Sequence, residues 1–511
     1  MMATGNPYLP AVHRAIPRLL ALFNIDPTDT FLGCGDRRFW AWKLIDFPNA
    51  TYQGAAFGLA HLCHSEMLPD HMDRDRIAAR IAEMIDVVPR LADRRGGLAE
   101  ALPQEGSFCV TGLVLGDCLG ALQRLEGVLG EQDRRQLAEG LSPLTEFLLR
   151  QDEHHGIISN HLATNALGMV RWAKLSGDER AWRRAGIWID RIRVHASSEG
   201  WMSEYGGADP GYQSWCSSAL AQIDNETDRF DLMPLLERSY SFLEAFAFPD
   251  GRFANGCGAR LTRFLFPGGA EMLADRLPAA RRLAVFARRH YDRGSFVTLD
   301  AIDEPNLAPF FNDAVLSSVH WSDAGSDASP FLSAPRDFPE AGLFVRPNRE
   351  GRVVAINVRR GGWTFCSAGP GQAAVLQPEP MARDEFGGLC AAACGRLVAE
   401  DGVGMVVEAD LIRVARMSAS PFKFLVLRMM ALTVFRSRVM GNWVKRVLAW
   451  LLVTGEGRRI GRVRRRITLE TGSVADEVIT GTLQISSPQP GYSPMHMASQ
   501  GYWQTGDDTK A

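Results

Sequence analysis

From about residue 10 to about residue 295, apolar side chains recur every three or four positions, the spacing that lines one face of an α-helix. Ile77, Ile81, Met84 and Val88 form one such stripe, with Asp73, Asp75 and Glu83 turned elsewhere. Leu137, Leu141, Leu144 and Leu148 form a second behind Glu131 and Asp133, acidic residues suited to a first helical turn. Trp182, Ala185, Ile189 and Ile192 make a third. About eleven or twelve helices with short connections are predicted, so neighbours should run antiparallel as hairpins. Without a fixed-period repeat, the pattern predicts a closed α/α-toroid rather than an open solenoid.

After about residue 300 the period changes from helix to strand. Gly342 to Ser367 reads as β-runs broken by a turn at Asn348 to Gly351, and Val406 to Ile412 reads as another strand. Arg464 to Leu469 pairs naturally with Val474 to Thr480 across Thr471-Gly472-Ser473. Helices followed by strands predict α+β segregation. The expected layout is a toroid over 1–300, an antiparallel β-sandwich over 301–500 with a helical insertion at about 418–455, and a tail at 501–511.

The insertion is unlike its surroundings. Ser420 to Leu452 is apolar but carries Lys423, Arg428, Arg436, Arg438, Lys445 and Arg446, and residues 411–470 hold fourteen Lys and Arg against two Glu. Its longest uncharged runs fall well short of the ~20 residues that cross a bilayer. Two readings stay open: a core helix with a solvated basic rim, or an amphipathic helix pair at an anionic membrane surface or acidic polymer, with Trp443 and Trp450 at the interface.

Composition narrows the class without naming a function. The 511 residues are 46% hydrophobic and 23% charged, which fits two large globular domains and excludes a disordered or collagen-like chain. A net charge of −3 provides no global field for nucleic acid. The nine cysteines include no CxxC pair and read mostly as small core residues. No basic-apolar-small leader pattern opens the chain, so a cytoplasmic location is expected, with peripheral contact to the inner membrane through 420–466 as an added expectation.

Chemistry concentrates in two segments. Glu153-His154-His155 leads into Ser159-Asn160-His161 at the start of a helix, where Ser159 or Asn160 can cap and an anion is favoured. Gly200 to Gln213 then carries Trp201, Glu204, Tyr205, Asp209, Tyr212 and Gln213 on a glycine- and proline-bound loop. A third element is Pro249-Asp250-Gly251-Arg252-Phe253 with Gly258-Ala259-Arg260.

The order of these motifs, Asn-His, then a Gly-rich loop ending in Gly-Tyr, then Gly-Ala-Arg ahead of a β-rich tail, resembles the heparinase II/III-like and alginate-lyase-like polysaccharide lyases. The resemblance implies β-elimination on a uronate-bearing polysaccharide. It makes Asn160 and Arg260 the stabilisers of the developing enolate, Tyr212 the proton-transfer group, and His161 the base or carboxylate neutraliser. Trp201, Glu204, Tyr205, Asp209, Gln213, His155 and His320 would then bind sugar. The lyases place a histidine-rich strand in the sandwich, whereas the comparable strand here is Ile356-Asn357-Val358-Arg359-Arg360, so no metal and no cofactor are expected.

Each residue also has a plainer reading: Asn160 as a helix cap, His161 as a satisfied polar group, Tyr212 as a packing tyrosine. A uronyl C5-epimerase shares the first proton abstraction. An inverting hydrolase would need a carboxylate pair, for which Glu204 and Asp209 are the local choice. A non-catalytic protein that binds or assembles polysaccharide at the cytoplasmic membrane face is the alternative from another class.

Overall fold

The computed structural model describes all residues except 1–4, 154–155, 206, 294, 323–333, 414–419, 435–436, 438–439, 441–442, 445–446, 448–458, 481–483 and 487–511. The helices are α1 (Leu9–Leu20), α2 (Arg37–Trp40), α3 (Ala55–His64), α4 (Arg74–Asp86), α5 (Val88–Leu91), α6 (Phe108–Arg124), α7 (Glu131–Gly140), α8 (Ser142–Arg150), α9 (Ser159–Ser176) and α10 (Glu179–His195). They continue with α11 (Pro210–Glu226), α12 (Met233–Leu243), α13 (Gly268–Met272), α14 (Pro278–His290), α15 (Glu304–His320) and, far along the chain, α16 (Pro421–Leu432). The expected His155 site and the 501–511 tail lie outside the described residues.

Six helices pack in a ring. Contacts run from α3 to α6, α9, α11, α13 and α15, and α15 packs back on α3. A second helix lies against each: α4 on α3, α8 on α6, α10 on α9, α12 on α11, α14 on α13 and α1 on α15. Ring closure uses buried polar groups as well as apolar ones. Asn312 of α15 accepts from the Gly58 N–H at 3.0 Å and donates to the Gly54 carbonyl at 2.9 Å, linking residues more than 250 positions apart.

Two sequence expectations need correcting. The single helix expected over residues 131–148 is two, because Pro143 opens α8 and the chain turns at Leu141. The helical part also runs past residue 300, through α15 at Glu304–His320. Its Pro305, Pro309 and serines blur the helical period, although Asp303 caps the Asn306 N–H at 3.1 Å.

A short hairpin, β1 (Ser203–Glu204) and β2 (Gly207–Ala208), interrupts the helices. The later strands are β3 (Arg336–Phe338), β4 (Leu343–Pro347), β5 (Val353–Asn357), β6 (Trp363–Cys366), β7 (Val375–Gln377), β8 (Met381–Arg383), β9 (Leu389–Glu400), β10 (Gly404–Arg413), β11 (Arg459–Thr468), β12 (Val474–Thr480) and β13 (Gln484–Ser486). All pair antiparallel, in a five-stranded sheet ordered β3-β4-β5-β6-β7 and a six-stranded sheet ordered β12-β11-β10-β9-β8-β13.

The central strands β4, β5 and β6 of the five-stranded sheet are buried on both faces, and strand alternation divides their side chains between two cores. Leu343, Val345, Val353, Ala355, Trp363 and Phe365 join the core of the helices. Phe344, Val354, Ile356 and Cys366 point the other way and meet Met405, Val407 and Ile467 of the six-stranded sheet. The helices and the first sheet therefore share one continuous core, which fixes that sheet against the ring.

Candidate active site

The β1–β2 hairpin docks on the first turn of α9. Ile158 bridges Glu204, the Ser159 hydroxyl donates to the Ser203 carbonyl at 2.9 Å, and the Tyr205 N–H donates to the Ile157 carbonyl at 3.1 Å. Tyr205 sits at the tip with φ +54°, a left-handed conformation that costs a non-glycine residue energy and exposes part of its ring.

Neither Ser159 nor Asn160 caps α9, contrary to expectation, because Ile158 holds the cap position and both lie inside the helix. Glu204 does the work from outside. Its Oε1 accepts from the Asn160 backbone N–H at 2.9 Å, and its Oε2 accepts from the Asn160 side-chain amide at 2.7 Å. A carboxylate at a helix N-terminus is favoured by the exposed N–H groups and the helix dipole.

Tyr212 lies in the first turn of α11. Asp209 caps that helix, accepting from the Tyr212 N–H at 3.1 Å, and Pro210 takes the first helical position. Residues 256–262 are laid across this turn. Gly211 is obligatory here: a Cβ would stand 2.6 Å from the Thr262 hydroxyl, which donates to Asp209 at 2.7 Å.

Arg260 joins the two helix starts. Its Nε donates to Asp209 at 3.1 Å and its terminal nitrogen to Glu204 at 3.0 Å, with both carboxylates fully buried. The guanidinium also lies 3.5 Å from the Tyr212 ring centroid and 5.3 Å from that of Tyr205. Charges this deep must be paired to persist. Burial pushes the Glu204 carboxyl up, while Arg260 and the Asn160 N–H bond pull it down.

His161 is held from the other side. Its Nδ1 donates to the buried Glu153 carboxylate at 2.7 Å, and the Cys109 thiol, in the first turn of α6, bonds the same imidazole. Burial alone would lower the pKa of His161, but Cys109 and Glu153 outweigh it and hold it well above the usual range. About a fifth of the His161 side chain remains open to solvent. Tyr205 is raised by burial and drawn back by His161 and Arg260.

Asn160, His161, Tyr212 and Arg260 are thus brought to one end of the ring, where α9 and α11 begin, with Glu204 and Tyr205 between them. Glu204 and Asp209 do not present free oxygens to a sugar, because a buried carboxylate must be compensated and Arg260, Thr262 and Asn160 do so. The same locking removes them as an open hydrolase pair. Gln213 is fully buried, tying Met202, Gly200 and Ser239 together, and lines no subsite. Trp201 is half-buried against the helical core and donates to Glu199 at 3.1 Å.

His320 is a further correction. It ends α15 close to Arg124 and His61. Arg124 and Cys109 stand at opposite ends of α6, so about 22 Å of helix separates His320 from His161.

Sequence reasoning named Glu153 without a role and missed Cys109, Thr262, Asn357 and Arg360. Asn357 and Arg360 come from the segment noted for lacking histidine, of which only Ile356 and Asn357 are strand: β5 ends at Asn357, and Arg360 lies in the turn that follows. The Asn357 amide donates to the Cys257 carbonyl at 2.6 Å and Arg360 to the Gly256 carbonyl at 2.6 Å, bracing the loop that carries Arg260. Arg360 is itself paired with buried Glu379 at 2.8 Å. Among the described residues, no group of three or more His, Cys, Asp or Glu could hold a metal ion.

Seven cysteines are buried, as expected of core residues, but Cys109 is half-buried and Cys394 exposed. Burial raises the Cys109 thiol above its ordinary range, and the His161 imidazole draws it only part of the way back towards thiolate. Replacing His161 with glutamine is expected to slow alkylation of Cys109 by iodoacetamide about tenfold, with Cys394 unchanged. Mass-spectrometric labelling rates check this, and equal rates at Cys109 in both proteins would refute it.

No family model and no curated protein matches the chain. Solved structures do. The chondroitin AC lyase of Streptomyces coelicolor A3 in complex with chondroitin sulphate is similar at 12% identity and TM-score 0.48, over 81% of this chain and 67% of that one. A second polysaccharide lyase is similar at 10% identity and TM-score 0.41, over 62% of this chain and 97% of that one. The endoglucanase CelQ of Clostridium thermocellum complexed with cellotriose is similar at 11% identity and TM-score 0.32, over 80% of this chain and 78% of that one.

Proposed function

We propose that the chain is an α/α-toroid joined to an antiparallel β-sandwich, and that it cleaves a uronate-bearing polysaccharide by β-elimination. The observation that carries this reading is the convergence of His161, Tyr205, Tyr212, Asn160 and Arg260 where α9 and α11 begin. The closed ring of helix contacts and the common core of the two sheets support the architecture.

The roles follow from charge and exposure. His161, held protonated beside Glu153 and partly open, is the cation that neutralises the uronate carboxylate, a duty it fits better than that of base. Neutralisation acidifies the C5 proton. Tyr212, a buried phenol whose ring lies under the Arg260 guanidinium and packs on Trp215 and Phe264, removes that proton. The C5–H electron pair becomes the C4=C5 double bond, the C4–O4 bond breaks, and the phenol returns its proton to O4. Tyr205, the more exposed phenol, is the neighbouring candidate for this proton transfer. Asn160 and Arg260 are positioning residues, since the Asn160 amide donates to Glu204 and Arg260 bridges Glu204 and Asp209 through Nη2 and Nε.

One observation favours a second reading. With the Asn160 amide and Arg260 both engaged by Glu204, the site is closed around its own carboxylates, which suits a protein that binds polysaccharide without cleaving it.

The test is to follow unsaturated-product absorbance on a panel of uronate polymers. Tyr212→Phe is expected to lower the rate at least about 100-fold, and His161→Gln to lose activity mainly through kcat/KM. Full activity in Tyr212→Phe with loss in Tyr205→Phe would move the proton transfer to Tyr205. Polymer binding without product on any substrate would establish the second reading.

A further inference from the structure

We propose that α16 and the loop carrying Trp42 and Leu44 form one docking surface for an anionic lipid bilayer. A helix on the outside of a protein ordinarily turns its polar face to water. α16 does the reverse. Phe422, Leu425, Val426, Met429 and Leu432, at i, i+3, i+4, i+7 and i+10, are all exposed, Phe422 by 73%. Its opposite side is anchored: buried Ala431 packs with Val444 against Leu102.

A second segment, almost 400 positions earlier, extends the same patch. Arg428 of α16 pairs with Asp46 at 2.8 Å and lies over the Phe47 ring at 5.3 Å. Just before Asp46, Trp42 and Leu44 are 60% and 72% exposed, with exposed Lys43 between them. Trp443 and Met440 add further exposed apolar side chains. Contiguous apolar surface of this kind marks an interaction site.

Its chemistry selects the partner. Tryptophan and phenylalanine interleaved with Lys43 and Lys423, and no acidic residue on α16, match the boundary between acyl chains and anionic headgroups, while Arg428 joins the two segments through Asp46. A second copy of the chain would set these cations against themselves. No helix among the described residues is long and apolar enough to cross a membrane, so the contact is peripheral.

The patch also has a definite place relative to the site. Residues 46–49 lead to α3, and Leu102 lies in the loop before α6, whose first turn holds Cys109 against His161. The bilayer would therefore lie at the end of the ring that carries Asn160 and His161. Docking does not depend on the lyase reading.

Co-flotation of the full chain with phosphatidylglycerol vesicles and with phosphatidylcholine vesicles tests the proposal. Partition into the anionic vesicles is expected, weakening as salt rises. Leu425→Glu with Met429→Glu should reduce it about tenfold or more, and Trp42→Ala with Leu44→Glu should reduce it independently. These side chains face solvent, so the urea midpoint should not move. Failure of the wild type to float with anionic vesicles, or variants that float like the wild type, would overturn the proposal. So would a wild-type dimer that the variants dissociate, which would assign the face to a second copy.

Discussion

Replacing Arg260 with methionine is expected to remove about 3–5 kcal/mol of stability, because it takes one cation from two fully buried carboxylates. Glu204 and Asp209 would be left in a site that water does not reach, each still holding the N-terminus of a helix. Urea unfolding reads the loss as a lower midpoint. Introducing Glu204→Gln into the methionine variant should recover part of it, since one uncompensated charge is removed while the Asn160 contact can persist. A loss below about 1 kcal/mol would mean that the network contributes little, and the loop would then be held chiefly by Asn357 and Arg360. Activity would fall in the same variant under the proposed mechanism, so the unfolding measurement, not the rate, isolates the structural role.

Local pattern made a good part of the fold legible. The stripes over α4 and α10, the turn between β4 and β5 and the pairing of β11 with β12 all follow from short-range periodicity and turn chemistry. Closure of the ring was expected only from the lack of a fixed-period repeat; the contacts that make it, such as Asn312 with Gly58, rest on a buried amide that leaves no periodic signal. The site divides in the same way. Asn160, His161, Tyr212 and Arg260 stand in short motifs whose residue types advertise chemistry. Their partners are less visible. Glu153 stood in the first motif without a role of its own, and Cys109 read as one more small core residue. Exposure was the property read least well: Glu204, Asp209 and Gln213 have the composition of a sugar subsite but are consumed by internal bonds, and nothing local in the sequence distinguishes the two fates.

The interior of the ring leads to the other large expected effect: stability should fall as pH rises from about 4 towards 7, through Asp117 and Asp313. Asp117, of α6, accepts from the Asn312 amide at 3.0 Å. Asp313 accepts from the Ser218 hydroxyl at 2.7 Å and the Gly268 N–H at 3.0 Å. Both line a cavity of about 40 Å3 among α6, α9, α11 and α15. Burial lifts each carboxyl from 3.8 to about 7, against Arg171 and Asn312 at Asp117 and against Gly268 and Ser218 at Asp313.

The folded state therefore binds these protons more tightly than the unfolded chain does. Their contribution is complete below the unfolded value near 4 and is lost as pH rises through about 7. Each group corresponds to an effect on the order of 4 kcal/mol, since one pKa unit is worth about 1.4 kcal/mol. Asparagine cannot titrate, so Asp117→Asn and Asp313→Asn should each flatten the dependence of unfolding free energy on pH between about 4 and about 7. The slope is the diagnostic quantity. Asp313→Asn also loses an acceptor for the Gly268 N–H, which shifts stability by a constant amount at every pH. Urea unfolding at several pH values separates the two effects. Wild-type and variant curves that run parallel across this range would show that neither carboxyl titrates there, and the interior of the ring would then hold its acids ionised.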